Sequence, residues 1–183
     1  MDSIFEKFRE IPTYYIEIGV FSEDAKRDEE IQEKKIITKK LTKKKLTKKK
    51  FRKKEEDEDE GVTNAQLLFI HENGSYLKNP IIPKRPVLAM TIKHAKKEWV
   101  NNTIKKAIIE YVKSGYDIRA YENELKKLCM KMENYARDII YLNDGRLVAN
   151  SPSTIRGKKD IGNHPLFRTS QLAKSISCRL IKS

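Results

Sequence analysis

Strand-like patterns stand at the two ends of this chain, and helix-like patterns fill most of the region between them. Residues 14–21 alternate aromatic or β-branched residues with Glu17 and Gly19, and this alternation predicts a β-strand. Residues 175–181 alternate polar and apolar side chains at a period of two, which predicts a second strand. Because a small sheet needs a cover, the sequence predicts an α+β fold, in which an antiparallel sheet from N- and C-terminal strands packs against α-helices.

Two long helices are predicted to provide that cover. Between residues 85 and 114, apolar residues recur at close to 3.6-residue spacing, and Ser114 with Gly115 marks the expected end of the helix. Residues 117–142 carry a second apolar helical face. These two helices are therefore the expected framework of a single domain that spans residues 1–183.

Shorter segments are predicted around this framework. They are a helix over residues 3–9, a helix over 62–71 that begins at Thr63 and Asn64, a loop over 151–159, and a short helix entered from 165–172 with Thr169 or Ser170 as N-cap.

A charged segment over residues 23–60 is predicted to be an insertion or arm within the domain. Its centre, residues 34–54, contains 13 Lys and Arg residues and no acid, whereas acidic runs flank it on both sides. Two interpretations remain open: a solvated flexible insertion, which blocks of like charge favour, and an extended β-arm, which Ile36, Ile37 and the repeated Thr residues favour. The lysines predicted to contact a polyanion are Lys43, Lys44, Lys45, Lys48, Lys49 and Lys50.

The chain outside this segment is also basic. Residues 23–60 contain 15 bases and 12 acids, and the remainder contains 24 bases and 14 acids, so most of the net charge of +13 belongs to the domain itself. A basic domain favours a polyanionic neighbour, such as nucleic acid or an acidic protein surface. Solubility alone explains the same charge, and both interpretations remain open.

The sequence contains no arrangement typical of an active site. Its three histidines, at positions 71, 94 and 164, are scattered, and His71-Glu72 lacks the second histidine of an HExxH zinc helix. No GxSxG elbow and no glycine-rich nucleotide loop is present. The sequence therefore predicts no catalytic residues, no metal ligands, no cofactor and no enzymatic activity.

The cysteines and the hydropathy pattern bear on location. Cys129 and Cys178 are isolated in the sequence and lack the spacing of a metal site, which favours a reducing compartment. The N-terminal residues lack the apolar stretch of a signal peptide, and no apolar run reaches the length of a membrane span. We expect a soluble protein, made inside the cell and not associated with a membrane.

The segment between the helix over 62–71 and the next helix has the most specific pattern in the chain. Residues 70–75 (Ile-His-Glu-Asn-Gly-Ser) end the first helix at a glycine, and residues 82–88 (Ile-Pro-Lys-Arg-Pro-Val-Leu) begin the second. Proline is favoured in the first turn of a helix, where its missing N–H would have no partner, so Arg85-Pro86 predicts a helix start. We expect this loop to contact a neighbouring subunit, with Arg85 donating a charge-assisted hydrogen bond to a carboxylate or backbone carbonyl. The residues predicted at the interface are His71, Glu72, Gly74, Pro83, Lys84, Arg85, Pro86 and Thr169.

Four motifs, taken in order, resemble the tail-completion or virion-morphogenesis proteins of long-tailed bacteriophages. The family pattern is a strand with a Val-Gly-Val-like core, a helix ending in His-Glu-Phe-Gly, Ile-Pro-x-Arg-Pro-Phe-Leu opening a long helix, and an ending with Pro-Leu, Thr-Gly-x-Leu and Ser-Ile. The matching segments here are residues 16–20, 64–74, 82–88 and 165–176. This chain has Asn73, Val87 and Ser170 where the family has Phe, Phe and Gly. The resemblance covers the chain apart from the insertion.

The resemblance implies a structural virion protein at the head–tail junction, made in the host bacterial cytoplasm. Such a protein is expected to form a homo-oligomeric ring of six subunits. The ring would lie between the head connector and the tail terminator or tail-tube proteins. The ring would leave a channel for DNA, with which the lysine-rich segment could make non-specific contact. The alternative function from another class is a small basic DNA-binding accessory protein, whose affinity for duplex DNA would fall with salt.

Overall fold

The computed structural model describes residues 4–21, 62–76, 81–157, 162–168 and 170–183 of the chain. Within these ranges it contains seven helices and two strands. In chain order they are α1 (Ile4–Arg9), β1 (Tyr14–Gly19), α2 (Asn64–Asn73), α3 (Val87–Glu98), α4 (Val100–Lys113), α5 (Ile118–Tyr141), α6 (Pro152–Gly157), α7 (Gln171–Lys174) and β2 (Ser177–Lys182). The predicted insertion over residues 23–60, with its six candidate lysines, lies outside the described residues.

The two strands form one antiparallel sheet, as the sequence predicted. Tyr14 pairs with Lys182 at one end of the register, and Gly19 pairs with Ser177 at the other. A further backbone hydrogen bond, from Ser183 N–H to Thr13 O at 2.9 Å, extends the pairing. The α+β prediction is therefore confirmed: the ends of the chain meet in a sheet, and long helices pack against it.

The longest helix, α5, is the centre of the packing. It presents an apolar face to α3, α4 and β2, and its N-cap Asp117 accepts a hydrogen bond from Arg119 N–H at 2.9 Å. The buried residues on that face are Leu125, Leu128, Cys129, Met132, Ala136, Ile139 and Ile140. Their spacing produces a single stripe, so the prediction of a helix over residues 117–142 is confirmed.

The prediction of one continuous helix from residue 85 to 114 is wrong, because the helix is interrupted at Trp99. Trp99 has φ −116° and ψ −37°, and it separates α3 from α4. Its indole ring packs edge-on against the rings of His94 and Tyr135, with centroids 4.8 and 5.5 Å away. Helical periodicity continues across the interruption, which is why the pattern alone did not reveal it.

The prediction of a loop over residues 151–159 is also wrong in part, because residues 152–157 form the short helix α6. Ser151 Oγ accepts a hydrogen bond from Thr154 N–H at 3.3 Å, which is the geometry of a helix N-cap. Pro152 follows at the first helical position, where proline is favoured. The Ser-Pro pair was the signal of a helix start; residues 158 and 159 lie outside the described part of the chain.

The main core joins segments that are far apart in the sequence. Its buried residues are Leu68, Val87, Ala136, Ile139, Ile140, Leu172, Ala173 and Ile176, and Ile18 and Val20 pack against them. A smaller cluster of Ala95, Leu128 and Met132 lies beneath Ile16, Trp99 and Cys178. In the described ranges, none of the helices combines the length and the apolar character required to cross a membrane.

Candidate functional site

Helix α2 has well-defined ends. Thr63 Oγ1 accepts a hydrogen bond from Gln66 N–H at 3.2 Å, while Gln66 Oε1 accepts from Thr63 N–H at 3.0 Å. This reciprocal pair is a capping box, which satisfies two helix-terminal N–H groups. The helix ends at Gly74, whose N–H donates to Ile70 O at 2.8 Å, so the predicted start at Thr63 and the predicted stop are both confirmed.

Gly74 is required by the backbone of the loop. Its φ of 75° and ψ of 172° lie in a region that only glycine occupies readily. A Cβ at this position would be 3.0 Å from Ile82 O and 3.0 Å from Lys84 Cγ. The close approach arises because Ser75 and Ile82 exchange two backbone hydrogen bonds of 2.9 Å, which hold the two ends of the loop together.

Pro86 turns the chain from the loop into α3. It has φ −81° and ψ 72°, and Val87 N–H donates to Arg85 O at 2.9 Å across it. This is the geometry of an inverse γ-turn, which matches the restricted φ of proline. Pro86 is therefore the N-cap residue of α3. The helix starts one position later than the prediction, which placed Pro86 in the first helical turn.

Glu72 supplies the side-chain cap that Pro86 cannot provide. Its two carboxylate oxygens accept hydrogen bonds from Leu88 N–H at 3.0 Å and from Ala89 N–H at 2.8 Å. Both N–H groups belong to the first turn of α3, where they lack helical partners and where a negative charge interacts favourably with the helix dipole. Glu72 thus links the end of α2 to the start of α3.

Arg85 is the central polar residue of this region, and it is only 5% exposed. Its Nε donates to Val148 O at 2.8 Å, and its Nη2 donates to Ala149 O at 3.0 Å. Its Nη1 lies 3.3 Å from His71 Nδ1, and its backbone N–H donates to His71 O at 2.6 Å. Burial lowers the pKa of the Arg85 guanidinium, and the carbonyl oxygens replace the water that it loses.

The predicted role of Arg85 at a subunit interface needs correction. The hydrogen bond to a backbone carbonyl exists, but the carbonyls belong to the segment between α5 and α6 of the same chain. A side chain that is buried and bonded in this way cannot also be a surface contact for a neighbouring subunit. His71, Glu72, Gly74 and Arg85, which we call the loop cluster, fix α2 against α3. The first three are half-buried, and their contact with a neighbouring subunit stays a prediction.

The other predicted interface residues are distributed differently. Lys84 is exposed beside the buried Arg85, and Pro83 is half-buried. Thr169 lies outside the described residues. The next residue along the chain, Ser170, is the N-cap residue of α7 and has φ 57°, in the left-handed region.

A second arginine makes contacts like those of Arg85, and no sequence pattern indicated it. Arg137 on α5 donates from Nη2 to Ile176 O at 2.9 Å and from Nε to Ala173 O at 3.3 Å. It also forms an ion pair with Glu133 at 2.7 Å. Both arginines donate hydrogen bonds to backbone carbonyl oxygens of distant segments. No sequence motif identifies such acceptors, because every residue has a backbone carbonyl.

The loop cluster borders a cavity. A cavity of about 280 Å³ lies beside Arg85, between α2, α6 and α7, and its polar lining includes His71, Asn150 and Gln171. In the described ranges, no group of three or more His, Cys, Asp or Glu side chains is placed to hold a metal ion.

Apolar residues form a surface at each of two helices. The α2 surface, which lines a shallow groove, consists of the exposed Val62 and Phe69 and the half-buried Ala65 and Ile70; Val62 precedes the helix, and Phe69 is 69% exposed. The α4 surface consists of Ile104, Ile108, Ile109 and Val112, all of them exposed. The residues of each surface recur at helical spacing, and contiguous exposed apolar groups of this kind mark interaction sites.

The chain was compared with protein-family models, curated proteins and solved structures, and none of these comparisons gave a match.

Proposed function

We propose that this protein is a structural component of a long-tailed phage virion, acting at the head–tail junction as a neck or tail-completion protein. The observation that carries the proposal is that the four motifs of the resemblance meet in one core. The strand motif contributes Ile18 and Val20, which pack against this core. The two loop motifs contribute Leu68 and Val87, and the ending contributes Leu172, Ala173 and Ile176.

This convergence supports the resemblance for a physical reason. Short motifs that match by chance have no cause to lie together, whereas motifs that specify one fold must pack against one another. Two polar residues of the motifs also join separate parts of the chain: Glu72 caps α3, and Arg85 binds the segment before α6. The motif order therefore corresponds to one physical unit of the structure.

Ser170 provides further support. The family pattern has glycine at this position, and the φ of Ser170 is 57°, a conformation that glycine adopts without cost. The serine retains the backbone geometry that the glycine of the pattern would favour. At position 170 this chain therefore differs from the pattern in its side chain and not in its backbone conformation.

On this proposal, the subunits form a closed ring through the α2 surface of one subunit and the α4 surface of the next. A ring with one subunit type needs a heterologous interface, in which two different surfaces of the same chain meet. The α2 and α4 surfaces fulfil that need: α2 packs on α3 and α7, whereas α4 packs on α3 and α5, so different elements carry them. The loop cluster then sets the position of α2 relative to α3 and α4.

The partners on the two faces of the ring would be the head connector and the tail terminator or tail-tube proteins, with DNA in the central channel. The basic character of the domain outside residues 23–60 suits a protein that surrounds DNA. The stripes of Lys that flank the α4 surface, such as Lys105 and Lys113, remain exposed beside it.

The test uses two variants that each remove one surface. Phe69→Gln removes the α2 surface, and Ile108→Gln removes the α4 surface, while glutamine preserves helix propensity. We expect the unmodified chain to have a mass that is a multiple of 21.4 kDa by light scattering, and each variant alone to be monomeric. Mixed in equal amounts, the two variants should form a heterodimer, because one intact surface of each kind remains.

The control is Met130→Gln, which changes a side chain that is 64% exposed on α5, outside both surfaces. This variant should retain the mass of the unmodified chain. A mixture of the two surface variants that stays monomeric would exclude the heterologous interface. An unmodified chain that remains monomeric, both alone and on connector-bearing phage heads, would contradict the ring itself.

A further inference from the structure

The two cysteines of the chain, which are far apart in the sequence, lie on two elements that pack against each other, α5 and β2. Cys129 lies on the buried face of α5, and Cys178 lies near the start of β2. Both are free thiols, and each affects the pKa of the other. The chain contains no other cysteine.

Contacts on either side of the pair fix its position. Cys178 packs against the cluster that contains Leu128 and Met132, which are neighbours of Cys129 on α5. The backbone N–H of Cys178 donates to Glu133 Oε2 at 3.2 Å, and Glu133 lies one helical turn after Cys129. These two contacts hold the start of β2 against the part of α5 that carries Cys129, so the two thiols lie on facing elements.

We propose that Cys129 and Cys178 form an intramolecular disulfide bond when the protein encounters a small-molecule disulfide oxidant. A thiolate of the pair attacks the oxidant, forms a mixed disulfide and releases one small thiol. The second protein thiolate then attacks the protein sulfur of that mixed disulfide and releases another small thiol. The two protein sulfurs lose two protons and two electrons, and the oxidant is reduced to two thiols.

The electrostatics of the pair favour the first step. The hydrogen bond from the Cys178 thiol lowers the pKa of Cys129, and the thiolate is the reactive form. The same hydrogen bond, together with burial and the charge of its partner, raises the pKa of Cys178. Cys178 is the more exposed of the two thiols.

The bond would join the C-terminal strand covalently to the central helix. Since β1 pairs only with β2 in the described part of the chain, the crosslink would hold the whole sheet on α5. If the proposed function is correct, on which this consequence rests, the bond would form as the particle leaves a reducing cytoplasm for an oxidising exterior. The formation of the bond does not depend on that function.

The experiment treats the full chain, purified in its reduced state, with mixtures of reduced and oxidised glutathione. Intact mass should fall by two hydrogen atoms, both thiols should become unreactive, and the protein should remain a monomeric band in a non-reducing gel. The Tm should rise by about 10 °C and return to its initial value with excess reductant. We compare the ratio of reduced to oxidised glutathione at which half of the protein carries the disulfide bond. This ratio should be roughly a hundredfold higher for the folded chain than for the same chain in concentrated urea.

Cys129→Ser and Cys178→Ser are the controls, and neither should show the rise in Tm with glutathione. If Cys129→Ser fails to fold because its site is buried, Cys178→Ser alone provides the comparison. Glutathione adducts on both cysteines without an internal bond, a covalent dimer, or equal oxidation of the folded and urea-unfolded chains would each overturn the proposal. None of these results would alter the test of ring formation, which uses reduced protein.

Discussion

The loop cluster and the helical body, by which we mean α3, α4 and α5, are held together by different forces. In the loop cluster, a few directional hydrogen bonds involving Glu72 and Arg85 fix the backbone. In the helical body, an apolar stripe along α5 packs against neighbouring helices and the sheet. Directional contacts fail when one partner is lost, whereas apolar packing distributes its contribution over many side chains.

This difference assigns a role to each region. The helical body accounts for stability, and most of its individual side chains are replaceable by others of similar size. The loop cluster accounts for geometry, because it sets where α2 and its exposed stripe lie. We therefore expect small changes in the loop cluster to cost more free energy of unfolding than conservative changes in the helical body.

The largest effect is expected for Arg85→Ala. Removing the guanidinium leaves the buried carbonyl oxygens of Val148 and Ala149 without their donors, so the free energy of unfolding should fall by about 3–5 kcal/mol. Urea denaturation followed by circular dichroism measures this loss. Lys84→Ala removes an equal charge from the exposed neighbouring position and should change stability by less than about 0.5 kcal/mol. Similar losses for the two variants would refute the internal role of Arg85.

Gly74→Ala should have the next largest effect, about 3 kcal/mol. The alanine Cβ meets both an unfavourable φ and the Ile82 carbonyl oxygen at 3.0 Å. Gly115→Ala is the matched control, since Gly115 has a φ of 72° but open space around the position of a Cβ. That control should cost only about 1 kcal/mol. Equal costs in thermal unfolding experiments would mean that backbone conformation, and not the close approach, determines the need for Gly74.

Ile139→Val measures the tolerance of the helical body. Ile139 is 1% exposed in the main core, and deletion of one methylene there should lower the free energy of unfolding by about 1 kcal/mol. Denaturant titration would detect this change. A cost as large as that of Arg85→Ala would remove the contrast between the two regions.

The smallest effect, and the only expected gain, is for Ser170→Gly. Glycine relieves the left-handed conformation of residue 170, although it also increases the entropy of the unfolded chain. The net stabilisation should be about 0.5–1 kcal/mol, seen as a small rise in Tm. Destabilisation would show that the serine side chain contributes more than the backbone conformation costs.

The sequence predicted much of the local structure because local structure follows local patterns. The helix start at Thr63, the helix stop at Gly74 and the alternation in both strands each have a physical basis within a few residues. The interruption at Trp99 escaped detection because the helical periodicity continues across it. Helix α6 escaped because a Ser-Pro pair is common to loops and helix starts.

The sequence grouped several residues of the loop cluster, but it did not predict what their side chains contact. His71, Glu72, Gly74 and Arg85 do lie together, as their shared motif indicated. Their orientation toward the interior depends on Val148 and Ala149, whose contribution is a backbone carbonyl that any residue could supply. Exposed and buried arginines have the same sequence signal, so only the folded chain distinguishes them.

By itself, the sequence determined the class of fold, the identity of most helices and strands, and the positions where the chain must turn. These features depend on periodicity, capping and backbone conformation, which act over short distances. Only the tertiary structure decided that Arg85 is buried within the chain, that the four motifs share one core, and that Cys178 packs on the part of α5 that carries Cys129. Each of these depends on contacts between distant residues, and a linear pattern does not record which distant surfaces will pack together.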